Sequence, residues 1–417
     1  MLKKPRGTED IFGKKAQDFF ALEMIIRNVM ELYNINEVRT PIFESYDLFS
    51  RSAGESSDIV NKEMFVFQDR KNRSLALRPE NTAGVVRSVI ENKLYLEENL
   101  PLKQFYFGPM FRYERPQAGR QRQFTQFGVE IFGGKSPSLD AELITSGIEI
   151  LSNIGLQDFS VKINYLISGE NKSKYIKVLK DSLAKMKLCE DCLNRIEKNT
   201  LRVLDCKVDQ EKFDNIPSMS DFLSPEDDQY FKEYLSILKR MDFSLEIDAK
   251  LVRGLDYYTG IVFEIVSNDE RQGSQSTLLA GGRYDNLVEE LGGPQISGAG
   301  FALGIERILI ALENAEISIS QPTELDVYCI PLSKQAELFT SSLLFMLRKA
   351  GLKSDTSFVN RSLKSNFKKA ESLKSKNILL IGDKELKENY VIIKNQTTMK
   401  EEKVKFEKIL NFLIEEL

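Results

Sequence analysis

Histidine is absent from the 417 residues, and cysteine occurs four times. Without histidine, no ordinary side chain titrates between about pH 5 and 8, so a protein group active there must be a carboxylate or thiol shifted by its surroundings. Four cysteines are too few for a disulfide framework in a chain of this length. Three of them are close in sequence, Cys189 and Cys192 as a CxxC and Cys206 further on. A tetrahedral zinc site needs a fourth ligand, which no histidine can supply, so these thiols are expected to be reduced and packed in a small subdomain. No metal ligand is assigned, and what else the three thiols bind is left open. Long apolar runs are missing too. None reaches the ~18 residues of a membrane span, and "MLKKPRGTEDIFGKK" has no apolar run after its basic residues. A cytoplasmic chain without a membrane segment is expected. The usual phosphate loops are also absent: in "GVEIFGGKS" five residues separate Gly128 from Gly134, where the P-loop pattern requires four.

The length suits two or three domains, and 42% hydrophobic with 29% charged residues is an ordinary globular balance. The net charge of −4 conceals an uneven distribution. Between Arg348 and Lys376 nine Lys or Arg face only Asp355 and Glu371, an excess of 9 − 2 = +7, which leaves −11 for the rest. A solvated surface and a phosphate-binding face both fit such a cluster.

Apolar positions at helical spacing (Phe19, Leu22, Ile26, Met30) predict an amphipathic helix over 14–33. "EVRTPIFES" reads as extended, with Pro41 confining it to an edge. "LKQFYFGPMFRYE" and "RQRQFTQFGVEIFG" read as two long strands joined by a polar loop. Residues 168–245 change to Lys-, Ser- and Asp-rich helical texture, which suggests an insertion, and "LLAGGRYDNLVEELGG" reads as Gly-rich turns. "GAGFALGIERILIALENA" reads as a turn or short strand entering a helix. Alternating strands and helices after residue 325 indicate a separate α/β domain.

Residues 111–130, "FRYERPQAGRQRQFTQFGVE", hold four Arg, four Gln and two Glu. On a strand, Gln126, Gly128 and Glu130 share one face, and Phe127, Val129 and Ile131 share the other. The first face sets an amide and a carboxylate either side of a glycine, with space for a small ligand. Arg112 and Glu114 share a face of the partner strand by the same rule. An exposed, ion-paired hairpin would have the same composition. "RPENTAG" adds Glu80 and Thr82, "LVRGLDYYTG" adds Arg253, Tyr257 and Tyr258, and "GIERIL" adds Arg307. Scattered arginines suit phosphate, because the planar guanidinium binds its oxygens bidentately and keeps its charge.

Taken in order, KPRGTEDIFG, EVRTPIFES, RPENTAG, FRYERPQAGRQRQF, LVRGLDYYTG and GFALGIERIL resemble the class II aminoacyl-tRNA synthetases, and among them the bacterial histidyl-tRNA synthetase family. The resemblance implies an α+β fold: a class II catalytic domain on an antiparallel sheet, residues 1–320, with a helical insertion at about 168–245, then a C-terminal α/β anticodon-binding domain, 325–417. It implies ATP-dependent activation of L-histidine to histidyl-adenylate and transfer to the 3′ end of tRNA(His), with Mg2+ bridging the phosphates, in a homodimer. Arg112 and Arg253 would be the catalytic pair. Arg112, Glu114 and Arg307 would hold ATP, with Glu114 at the adenine. Glu80, Thr82 and Gln126 would surround the α-amino group of histidine and Glu130 with Tyr258 would meet its ring, with Asn81 adding a backbone contact and Arg112, Arg253 and Tyr257 completing the histidine site. Arg115 and Gln117 would meet the tRNA acceptor end. A non-catalytic relative, the regulatory subunit of ATP phosphoribosyltransferase, is the alternative; it typically lacks the tail and has eroded site residues. Tyr113 and Thr125 replace a common His of the family, and Asn81 a common Gly.

Overall fold

The structure, a computed structural model, describes residues 2–54, 59–241, 243, 245–321, 324–359 and 361–415. The outer limits of the two expected domains, Met1 and Leu417, lie outside the described residues. The chain divides into two compact units, Met1–Ser320 and Gln321–Leu417. Among the described residues no helix is long and apolar enough to cross a membrane.

In the first unit, β1 (Asn36–Glu37), β5 (Leu102–Phe111), β6 (Gln123–Phe132), β7 (Phe159–Leu166), β8 (Leu245–Ile247), β9 (Thr259–Ser267), β10 (Thr277–Arg283) and β11 (Gly298–Gly304) form one sheet. Its order is β1-β5-β6-β11-β10-β9-β7-β8, antiparallel except for the two edge pairs. Between β1 and β5 in sequence, β2 (Phe43–Ser45), β3 (Val66–Gln68) and β4 (Ser74–Leu77) make a separate small sheet. Pro41 lies in the break between β1 and β2, where the missing N–H interrupts no ladder.

Strand alternation sorts the large sheet into two faces. Phe105, Phe127, Val129, Ile131, Phe263, Ile265, Phe301 and Leu303 point to a core closed by the helices Gly13–Leu32, through Leu22 and Ile26, and Pro137–Asn153, through Ile144, Ile148 and Leu151. The second of these helices starts where Pro137 follows Ser136, whose hydroxyl accepts the Leu139 N–H at 3.2 Å. The opposite face carries Tyr106, Met110 and Phe132, packed with Val85, Val86 and Val89 of the helix Thr82–Glu91.

Two expectations change. Residues 277–283 form a strand inside the sheet, β10, where glycines had read as turns: the sheet packs so closely there that a Cβ at Gly282 would stand 2.7 Å from the Ile261 carbonyl oxygen. The helical stretch at 168–245 is not uniform either. Its first part builds a core of its own around Tyr175, Leu179, Cys192, Val203 and Phe213, but the helix Pro225–Lys239 places Phe231, Tyr234 and Leu238 in the main core.

The second unit has β12 (Val327–Pro331), β13 (Ser354–Thr356), β14 (Asn377–Ile381), β15 (Tyr390–Asn395) and β16 (Glu401–Lys405) in the order β13-β12-β14-β15-β16. The first three are parallel and the last two antiparallel. Ser333 and Ser362 cap the helices Lys334–Lys349 and Leu363–Ser372 by accepting N–H bonds in the first turn. Lys364 and Lys368 of the second helix are exposed.

Candidate active site

On the face of the large sheet away from the main core lies a cavity of about 270 Å³. The residues at its floor explain why it exists: Gly128, Gly300, Ala302 and Gly304 fall on the cavity side of β6 and β11 by strand alternation. A Cβ at Gly300 would collide with the Glu130 carboxylate, so glycine there is what lets that side chain lie over the sheet. Gly128 serves differently from expectation. The Tyr106 phenol fills the room above it and donates to the Gln126 amide oxygen at 3.1 Å.

One end of the cavity is built of carboxyls and phenols. Glu130 is 1% exposed and has both oxygens engaged, accepting from the Thr82 hydroxyl at 2.6 Å and from the Tyr284 hydroxyl. Burial pushes its carboxyl up to about 8, despite the two donated hydrogen bonds, which work in the other direction. Glu80, also buried, receives the N–H groups of Thr82 at 2.6 Å and Ala83 at 3.1 Å, and thereby opens the helix that carries Thr82. Burial raises its pKa as well. The rings of Tyr257 and Tyr258 lie 4.7 Å apart, and that of Tyr257 lies 5.7 Å from Tyr284. Burial holds the phenols of Tyr106, Tyr257 and Tyr284 well above their usual value, so they stay neutral donors.

The other end is built of guanidiniums. Arg112 donates through Nε to the Pro79 carbonyl at 2.9 Å and lies 3.9 Å from Glu114, which Arg120 approaches at 3.4 Å from the other side. Arg307, on the helix Ile305–Asn314 after β11, reaches the Gly119 carbonyl at 3.4 Å. Its pKa is lowered, first by burial and then by the like charges of Arg120 and Arg112. Arg112 and Arg120 thus share one carboxylate, and Arg307 stands near enough for their charges to oppose its own. A polyanion placed among them would relieve their repulsion. Arg253 lies between the two ends: its Nη1 is paired with Glu264 of β9, its guanidinium carbon is 5.7 Å from the Tyr258 ring centre, and its buried Nε has no hydrogen-bond partner.

Of the residues singled out from sequence, Glu80, Thr82, Arg112, Glu114, Gln126, Glu130, Arg253, Tyr257, Tyr258 and Arg307 line this one cavity. Arg112 and Glu114 do so without the strand alternation first assumed for them, because β5 ends at Phe111 and both sit in the hairpin loop. Asn81 is turned away: its side-chain oxygen accepts from the Thr40 hydroxyl at 2.6 Å, and it is not among the lining residues. Arg115 and Gln117 are exposed on the hairpin loop outside the cavity. Thr125 donates its N–H to Glu306 at 2.8 Å. Sequence reading missed Arg120, Glu264, Tyr106 and Tyr284. Glu264 left a signal, a lone charge in the apolar run "GIVFEIV".

Comparison with known proteins agrees along the whole chain. The histidyl-tRNA synthetase family profile matches residues 7–167 and 187–308, and that of the anticodon binding domain matches 326–416. A histidine–tRNA ligase of Mesoplasma florum is 48% identical over 415 residues, 99% of this chain and 90% of its own length. One from Mycoplasma mycoides subsp. mycoides is 46% identical over 95% of this chain and 96% of its own. The crystal structure of apo histidyl-tRNA synthetase from S. aureus superposes with a TM-score of 0.85 at 36% identity, covering 99% of this chain and 100% of that one. With a site of this composition on a fold so matched, the chain belongs to the histidyl-tRNA synthetase family.

Proposed function

We propose that this cavity activates histidine with ATP, the arginine end taking the polyphosphate and the carboxyl–phenol end the amino acid. Family membership makes the overall reaction the ATP-dependent ligation of histidine to tRNA(His). The observation that carries the assignment within the cavity is the contrast of its ends, three neighbouring arginines of which two share Glu114 against two buried carboxyls among phenols. In activation the histidine carboxylate attacks the α-phosphorus and pyrophosphate leaves. Such a displacement needs alignment and charge stabilisation, and no protein nucleophile. Arg112 bridges the attacking carboxylate and the α-phosphate, Arg307 and Arg120 take the outer phosphates, and Arg253, held by Glu264, meets the charge developing at phosphorus. Glu114 faces the adenine. Mg2+ enters with ATP and offsets phosphate charge; no side chain is assigned to it.

Glu80, Thr82 and Gln126 receive the α-ammonium. A neutral imidazole has one donor and one acceptor, which Glu130 and the Tyr258 hydroxyl complement, with Tyr257 packed beside them. Tyr106 and Tyr284 fix Gln126 and Glu130. Arg115 and Gln117, free of the cavity and exposed at its hairpin, are the contacts for the tRNA acceptor end, and Asn81 contributes through its backbone alone. The second unit binds the anticodon through phosphates along Lys364 and Lys368. The enzyme acts as a homodimer; exposed Phe43, Val66 and Phe67 of the small sheet supply apolar surface for the contact. The regulatory-subunit alternative is less supported, since the arginine set is intact and the tail matches an anticodon-binding domain.

Histidine-dependent exchange of pyrophosphate into ATP, followed by charging of tRNA(His), tests the assignment. Exchange that does not depend on histidine, or no charging, would overturn it.

A further inference from the structure

The first unit holds a second cluster that the reaction does not use. Cys189, Cys192, Cys206 and Asp209 bring their ligand atoms within 4.8 Å of one another. Cys192 and Cys206 are buried, Asp209 is 1% exposed, and all the cysteines are free. The Sγ atoms of Cys189 and Cys206 are 3.7 Å apart. Two thiolates on one tetrahedral zinc, each at about 2.3 Å, stand about 3.8 Å apart. The spacing in sequence is C-x2-C-x13-C-x2-D, two ligand pairs of equal spacing, with a carboxylate in the place where a fourth cysteine or a histidine is usual. Asp209 supplies the fourth ligand type that a chain without histidine otherwise lacks.

We propose that these four side chains bind one zinc ion as a structural Cys3Asp site. Three thiolates select a soft or borderline metal, and four protein ligands leave no open position for catalysis. The ligands come from short pieces that need a clip: Cys189 caps the nine-residue helix Glu190–Lys198, Cys206 follows the 3-10 turn Thr200–Asp205, and Asp209 precedes another at Gln210–Phe213. The Asp209 carboxylate is already oriented, accepting the Cys189 N–H at 2.8 Å on one oxygen and Lys212 Nζ at 2.6 Å on the other. Each oxygen keeps a lone pair for metal. Lys212 also offsets part of the charge left by three thiolates and a carboxylate around a dication.

The clip bears on the active site from behind. Between the ligand pairs, Asn199 donates to the Asp256 carboxylate at 2.8 Å and Arg202 to the Arg253 carbonyl at 3.4 Å. Zinc thus positions the loop that presents Arg253, without touching substrate.

The test uses the full-length chain, reduced and stripped with a strong chelator, and titrated with Co2+ as a spectroscopic stand-in. Expected are saturation at one equivalent, sulfur-to-cobalt charge-transfer absorption, intense tetrahedral d–d bands, and displacement of cobalt by zinc. Cys192→Ser should weaken cobalt binding and lower the charge-transfer intensity, because two thiolates remain. Asp209→Asn should weaken affinity at least ~10-fold, and Cys329→Ala, in the second unit, should change nothing. Because wild-type protein carries the main readout, misfolding of a variant cannot mimic a negative result. Absence of thiolate charge transfer at micromolar cobalt, or a Cys189–Cys206 disulfide found by mass in the protein as isolated, would overturn the site. Stripping should lower kcat for pyrophosphate exchange about 10-fold with histidine KM nearly unchanged, and zinc should restore it. Lost affinity for histidine in place of lost turnover would remove the link to Arg253.

Discussion

The two ends of the cavity solve opposite problems with the same sheet. At the carboxyl–phenol end the polar atoms are satisfied in advance: Glu130 has Thr82 and Tyr284, Glu80 has two backbone N–H groups, and Gln126 has Tyr106. At the arginine end, Arg112 and Arg120 divide Glu114 between them, and Arg307 is opposed by both of their charges. The lesson is in what each end requires of a ligand. An under-neutralised cluster rewards any polyanion, so it gives affinity with little discrimination. A buried, pre-bonded cluster accepts a ligand only if it replaces or completes the existing bonds, and a mismatch leaves buried groups unpaired. Under the proposed assignment, selection of histidine would belong to one end and strength of ATP binding to the other.

Arg253, between the two, offers the largest effect. If it acts on charge that appears only during displacement, Arg253→Ala should lower kcat for adenylate formation by about 10²-fold or more, with little change in histidine KM. Single-turnover rates at saturating substrates measure this directly. A raised KM at unaltered kcat would move Arg253 to the binding groups. Next is Arg307→Ala, which removes one cation from the crowded end. A charge-assisted hydrogen bond contributes about 1.5–3 kcal/mol, so the KM for ATP should rise roughly 10- to 100-fold. The histidine KM should stay within about twofold, and parallel changes in both would break the division of labour. Tyr258→Phe tests the opposite end on a smaller scale. Losing one neutral hydrogen bond of about 1–1.5 kcal/mol should reduce kcat/KM for histidine about 10-fold and spare ATP. Full retention of both rate and selectivity would remove Tyr258 from the ring contacts.

How far the sequence could lead also differs between the ends. Gln126 and Glu130 were legible because β6 alternates without interruption, and period two assigns their face from apolar neighbours alone. The helix near 14–33 and the strand–helix alternation of the second unit were legible from apolar periodicity in the same way, whereas the helix Pro137–Asn153 was not singled out. Arg120 was not, since it lies in a loop where no period reports on direction. Tyr284 follows a strand whose paired glycines look like a turn until the neighbouring backbone shows why nothing larger fits. Tyr106 was hidden by being aromatic in an apolar strand, where a core role is the ordinary reading. In each case the missing information was a contact between segments distant in sequence.

The smallest effect follows from the carboxyl pushed up to about 8 in Glu130. Burial favours the protonated form of that group, and an imidazole N–H bonds more strongly to the carboxylate than to the acid, so histidine binding favours its ionisation. Histidine binding should then release close to one proton at pH 7 and almost none at pH 9. Calorimetry in buffers of different ionisation enthalpy counts it, and 1,2,4-triazolylalanine, whose ring keeps an N–H but is not protonated in this range, separates the protein's proton from the substrate's. Stability must follow the same linkage. The folded pKa lies above the ordinary 4.5, so between these values the native state holds the extra proton and stability falls as pH rises from about 4.5 to about 8. Glu130→Gln keeps a neutral group of similar shape at every pH, so it should flatten that part of the Tm profile and remove the proton release on triazolylalanine binding. An unchanged release in the variant would assign the proton to another group, with Glu80, the other buried carboxyl at this end, next in line.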